Sequence, residues 1–214
     1  MRRAAFLAGL LAIAASLSPW ADSLSDRSLT AHMLQHLVLT MVATPLLVLG
    51  APLDAVLRAL PPAGARRLVR ALRLLTNPLF AWTLFVGIQW ATHVTPFYEL
   101  AVERSWVHAC EHALYVASAL LFWWPVFGRP ARLRGPGRPL YVLLAMPAMG
   151  VLGLVLLTSD SRWYSSYSIA QQHAAGGLMW VVSSLLMVGL LVLSVWEWLQ
   201  REERRAVARE AYGR

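Results

Sequence analysis

The sequence predicts an all-α fold, a polytopic membrane helix bundle with about six transmembrane helices. Three observations lead there. Of 214 residues, 58% are hydrophobic and 14% charged, more apolar surface than a water-soluble domain of this size hides. The charges gather between long uncharged stretches, several reaching the roughly 20 apolar residues a helix needs to cross a bilayer. Basic residues are dense in every second connecting segment and sparse in the others.

Residues 4–17 form a marginal first span. They follow Arg2 and Arg3 and end in Ser18-Pro19-Trp20-Ala21, so residues 1–21 also resemble a signal peptide. Proline is poorly placed for a cut after Ala21, and a retained helix is the preferred reading. Five stronger spans follow at residues 29–50, 78–95, 105–127, 140–158 and 169–198. Gly50-Ala51-Pro52 reads as a helix stop. Asn77-Pro78 reads as a cap followed by proline at a helix start. Residues 53–77 are a basic connector in which Arg66, Arg70 and Arg73 share one helical face and Leu68, Leu72 and Leu75 another. Such a segment suits either an anionic membrane surface or a solvated linker. Residues 199–214 read as a cytoplasmic tail, in which 201–214 mix both signs and form a frayed surface helix. With no internal repeat and no low-complexity linker, residues 1–214 read as a single integral membrane domain.

Orientation follows from arginine. All 19 basic residues are Arg. The segment before residue 4, the connector 53–77, the loop 128–139 and the tail hold 16 of them, while Arg27, Arg104 and Arg162 hold the alternating segments. The positive-inside rule places the rich set and both termini in the cytoplasm. Trp20, Trp90, Trp106 and Trp163 then fall near outer boundaries, and Trp123, Trp124, Trp196 and Trp198 near inner ones, as an aromatic belt requires. The net charge of +8 is therefore a topology signal; no nucleic-acid partner is expected. A lone cysteine, Cys110, permits no internal disulfide.

The six histidines, His32, His36, His93, His108, His112 and His173, fall near the outer ends of their spans. Ionisable residues inside a membrane are functional candidates by default. His32 and His36 lie four apart, as do His108 and His112, so each pair projects from one helix face. Glu111 flanks the second pair, Gln35 the first, and Cys110 points away. Four helices thus carry imidazoles toward one level, and imidazole suits copper, zinc, iron and nickel. All six are candidate metal ligands. Taken singly, each is equally readable as an interfacial residue bonded to a backbone carbonyl, and Met41, Met146, Met149 and Met179 as packing residues. No hydrolase elbow, phosphate loop, dinucleotide fingerprint or zinc-protease motif occurs, so no catalytic residue and no enzyme is expected.

The run His32-Met33-Leu34-Gln35-His36, with residues 44–52 (TPLLVLGAP) after it, resembles the opening signature of the multi-span cytochrome c oxidase assembly family often called CtaG. The blocks Trp90-Ala91-Thr92-His93-Val94-Thr95-Pro96-Phe97-Tyr98, His108-Ala109-Cys110-Glu111-His112 and Phe122-Trp123-Trp124-Pro125 are similar to its middle, and residues 171–180 (QQHAAGGLMW) to its closing motif. The likeness runs from about Thr30 to Trp180. Two departures stand out: Ala170 occupies the place of an aspartate usual before the paired glutamines, and the chain has one span fewer than many members. The resemblance implies an accessory role in maturing a haem–copper oxidase, a terminal oxidase subunit as partner, and copper as the metal held or delivered by the outer histidines. Two other classes compete on the residues alone. A haem-binding membrane cytochrome would ligate iron through facing histidines. A metal-ion transporter would want ionisable residues at the bilayer midplane.

Overall fold

A computed structural model describes residues 2–51, 53–94, 97–129 and 132–212. Pro52, Thr95-Pro96 and Arg214, which enter the sequence motifs and the arginine tally, lie outside the described residues. Among the described residues the chain is all helix and turn. In order run α1 (Arg2–Ser16), α2 (Pro19–Ser25), α3 (Leu29–Leu37), a π-helical turn (Val38–Ala43), α4 (Thr44–Gly50), α5 (Leu53–Ala59), α6 (Pro62–Leu75), α7 (Pro78–Val94), α8 (Phe97–Glu103), α9 (Ser105–Phe127), α10 (Gly137–Thr158) and α11 (Ile169–Tyr212).

Each of the six expected spans is helical, and this is an all-α membrane helix bundle. Three helices, Leu29–Gly50, α10 and α11, are by themselves long and apolar enough to cross a membrane; the bent pairs α1–α2 (54°) and α6–α7 (66°) raise that to five. The 23-residue α9 is equally long but carries His108, Glu111 and His112. The interior is mainly apolar, but the outer surface is apolar too, unlike that of a water-soluble protein. Leu11, Leu79, Leu185 and Leu193 point outward, while His32, His36, Gln89, His93, Glu111 and Gln172 are buried. That arrangement matches a hydrocarbon solvent in which polar groups must find partners inside the bundle.

Local chemistry explains the boundaries. Asn77 Oδ1 accepts from the amides of Leu79 and Phe80 at 3.1 and 3.2 Å, capping α7 as its position before Pro78 predicts. Ser28 caps α3 through the Ala31 amide. The Ser18-Pro19 pair, which resembles a leader's end, is here the cap and first residue of α2: the Ala21 amide donates to Ser18 Oγ at 3.2 Å. The tail is helical and exposed. α11 continues unbroken through Tyr212, because no Gly or Pro falls between Gly189 and Gly213 and Arg201–Glu197 and Arg205–Glu202 pairs brace it. Arg138 of α10 reaches the same Glu197 at 2.7 Å. In the connector, α6 buries none of its residues.

Two tryptophans assigned to the boundary belts serve the interior. Trp123 is 3% exposed and its Nε1 donates to Thr40 O at 2.7 Å; Trp90 Nε1 donates to Ala148 O at 2.8 Å. The Thr40 carbonyl is free for this because the chain is π-helical there. Pro45 has no N–H, and its ring crowds the carbonyl four residues earlier, so the turn before it widens. Thr44 Oγ1 also donates to Thr40 O, at 2.7 Å.

Helices α10 and α11 meet backbone to backbone. A Cβ on Gly176 would stand 2.5 Å from Leu157 N and 2.7 Å from Gly153 O, whereas one on Gly177 would meet only Leu157 Cδ1 at 3.6 Å. Small residues at such crossings let membrane helices approach. Gly176→Ala should therefore destabilise the purified protein by about 1–3 kcal/mol, the usual overpacking cost. Gly177→Ala should stay within about 0.5 kcal/mol of the parent. Thermal unfolding in detergent measures both; equal midpoints for the two variants would contradict this packing.

Candidate metal centre

Three helices build one polar centre. α3 brings His32 and His36, α7 brings His93, and α9 brings His108, Glu111 and His112 on one face, as the three- and four-residue spacings dictate. The rings pack against one another. His32 lies 4.4 Å from His36 and 4.8 Å from His108, centroid to centroid. His112 lies 5.1 Å from His36 and 4.2 Å from His108. One donor atom each from His32, His36, His108 and Glu111 lies within 4.8 Å of the others, and Glu111 Oε2 is 4.0 Å from His36 Nε2.

What distinguishes this cluster from ordinary buried histidines is lost hydrogen bonding. His32 Nε2, both ring nitrogens of His36, the Nε2 atoms of His93, His108 and His112, and Glu111 Oε2 have no hydrogen-bond partner. Buried polar atoms are nearly always satisfied, and exceptions call for an ion, a water or a chemical role. These atoms are soft-to-borderline nitrogen donors with one carboxylate oxygen, a set that suits Zn, Cu, Fe or Ni. An ion holding four such donors at about 2.0–2.2 Å places them roughly 3–4 Å apart. A group spread over 4.8 Å surrounds that position loosely. The residues fit a transition-metal cation.

A network behind the cluster sets its tautomers and orientation. His93 Nδ1 donates to Gln89 O at 2.7 Å, which leaves the Nε2 lone pair free for the centre. Tyr115 OH donates to Glu111 Oε1 at 3.1 Å and lies 2.5 Å from Thr92 Oγ1, and its ring meets that of His36 edge to face at 4.7 Å. Gln35 Nε2 donates to Ser16 O at 2.6 Å and Asp22 Oδ1 at 2.9 Å, tying α3 to the α1–α2 bend. Tyr115, Thr92 and Gln89 escape a histidine-led reading of the sequence. Their signal was present: Tyr115 follows His108 by seven, and Thr92 and Gln89 precede His93 by one and four.

Tyrosines roof the site. Tyr98 of α8 lies 5.3 Å from the His32 ring and 4.1 Å from Tyr164. Burial pushes both phenols up from their ordinary range, so they remain neutral. Tyr167 OH donates to Ser25 O at 3.2 Å. Glu99 Oε1 accepts from the Ser165 amide at 2.8 Å, and that hydrogen bonding holds the Glu99 carboxyl below its ordinary range. The tie is complete above the usual carboxylate value and is lost only as pH falls through the lowered one.

His173 is placed apart. Its Nε2 is bonded to Ser159 O at 3.0 Å, and it joins none of the ring contacts among the described residues. Its neighbour Gln172 accepts from the Trp163 amide at 2.8 Å and donates to Ser161 O at 3.1 Å. The start of α11 therefore pins the 159–168 loop that forms part of the roof. Cys110 is exposed.

Fold and site together define a membrane helix bundle with a buried histidine–carboxylate centre. The family model described as "Cytochrome c oxidase caa3 assembly factor (Caa3_CtaG)" matches residues 1–201, and the chain belongs to that family. It is similar to uncharacterized proteins of Mycobacterium bovis and Mycobacterium tuberculosis, each 30% identical over 98% of this chain and 35% of theirs. An uncharacterized protein of Mycobacterium leprae is 26% identical over 99% of this chain and 36% of its own length. The chain thus spans about a third of the curated relatives it matches. No solved structure matches it.

Tyr115→Phe removes the hydroxyl that bridges Glu111 and Thr92 and leaves the ring. The fold should survive and metal affinity should fall about 10–100-fold, as loss of an orienting partner usually causes. Competitive titration with zinc or copper reads this, and an unchanged affinity would mean the bridge does not orient the donors.

Proposed function

We propose that the protein holds a transition-metal cation, copper by its family's association, at the outer side of a bacterial inner membrane during assembly of a haem–copper terminal oxidase. The observation carrying this reading is the set of orphaned donor atoms on His32, His36, His93, His108, His112 and Glu111. His32, His36, His108 and Glu111 are the nearest ligands, with His93 and His112 beside them. His173 anchors the roof. Both termini lie in the cytoplasm on this reading, as the arginine asymmetry supports. The role is accessory and not catalytic. A closed structural shell would keep its metal; a spread set of interchangeable imidazoles supports ligand exchange with an oxidase subunit. The cation is cargo.

The histidine packing favours a bare ion over haem. Axial imidazoles stand on opposite faces of a macrocycle, whereas the facing rings His32–His108 and His36–His112 approach to 4.8 and 5.1 Å. Purified protein should be colourless in the Soret region and bind copper. The double variants His32→Ala/His36→Ala and His108→Ala/His112→Ala should lose most of that metal and fail to restore oxidase activity in a deletion strain. Metal content by elemental analysis and oxidase activity of membranes test it. Wild-type copper content and full rescue by both variants would overturn the proposal.

A further inference from the structure

One cavity reaches the centre. It has a volume of about 820 Å³ and runs between the α1–α2 bend and the α8–α9 corner. His32, His108 and His112 line it, whereas His36, His93 and Glu111 do not, so it opens on one side of the cluster only. His32 and His112 are 3% and 6% exposed, and the Nε2 of each is without a hydrogen-bond partner. The same cavity is lined by three carboxylates, Asp22, Asp26 and Glu103. Among the described residues none of the three forms an ion pair, although Arg27 and Arg104 neighbour Asp26 and Glu103 in sequence. The remaining wall is mostly apolar, from Ile13 of α1, Leu17 just after it and Val116 of α9, with Ser105 and Tyr167 adding hydroxyls.

We infer that this cavity is the loading and release route of the centre, with Asp22, Asp26 and Glu103 forming an antechamber that gathers hydrated cations and hands them to His32, His108 and His112. The inference rests on reading the centre as a cation site. Clefts lined by charge of one sign with low-dielectric walls focus the field and raise on-rates by about 10–10³-fold. Carboxylates hold hydrated, hard cations weakly, and imidazoles compete better for a borderline transition metal. Carboxylate first and imidazole second therefore makes a downhill path inward. Asp22 is also fixed by Gln35, one residue before His36, which makes Asp26 and Glu103 the cleaner residues to test.

Apo-protein in detergent is mixed with aqueous Cu²⁺, and loading is followed by quenching of tryptophan fluorescence at about 0.01 M and about 1 M salt, where the Debye length is about 30 and 3 Å. The double variant Asp26→Asn/Glu103→Gln should load about ten-fold more slowly at low salt, with the gap closing at high salt. Asp26→Lys should be slower still. A charge-matched control at the other end of α11, Glu203→Gln/Glu210→Gln, should load as the parent does. If the parent loads copper and the double variant loads at the same rate at both salts, the antechamber is overturned and the metal centre stands. If the parent takes up no copper at all, both fall together.

Discussion

The structure turns on donor atoms that the chain buries and leaves without partners. Seven ring and carboxylate atoms on His32, His36, His93, His108, His112 and Glu111 lack a hydrogen bond. A buried polar group without a partner is costly, so a set of seven calls for a water, an ion or a chemical role. On the proposed reading a bound cation supplies the missing partner. The same reasoning explains the supporting hydrogen bonds. Gln89 fixes the His93 tautomer, Tyr115 holds one Glu111 oxygen, and the other oxygen is left facing His36.

The surrounding helices serve that centre by controlling approach and rigidity. The π-helical turn lies immediately below His36, where Pro45 loosens the backbone and Trp123 of α9 captures the freed carbonyl. α3 and α9, which supply most of the donors, are thereby joined just beneath them. Above, Tyr98, Tyr164 and Tyr167 close the roof, held by Glu99, Gln172 and His173. On one side the carboxylate-lined cavity leaves a path to bulk water. On the proposed reading, this floor, this roof and the carboxylate-lined side serve a site that takes up and gives up an ion.

Much of this was legible in the sequence, and the reasons are specific. The spans at 29–50 and 105–127 were readable because each is a long, nearly uncharged apolar stretch, and Gly50 marks the end of the first. The paired histidines were readable because a four-residue spacing forces one face. Other features depend on what a neighbouring helix offers, which periodicity cannot reveal. His173 has the same residue type and depth as the others, yet the 159–168 loop presents it a carbonyl. Trp90 and Trp123 sit at belt positions, yet backbone carbonyls of α10 and the π-helical turn accept from them.

The donor chemistry gives the most direct test. Cys110 is exposed, and the donor group consists of imidazole nitrogens and the Glu111 carboxylate. X-ray absorption spectroscopy of the copper-loaded protein should show a first shell of nitrogen and oxygen at roughly 2.0 Å, with the outer-shell scattering of several imidazole rings and no sulfur. A sulfur shell, or a spectrum without imidazole scattering, would place the metal elsewhere and contradict the account.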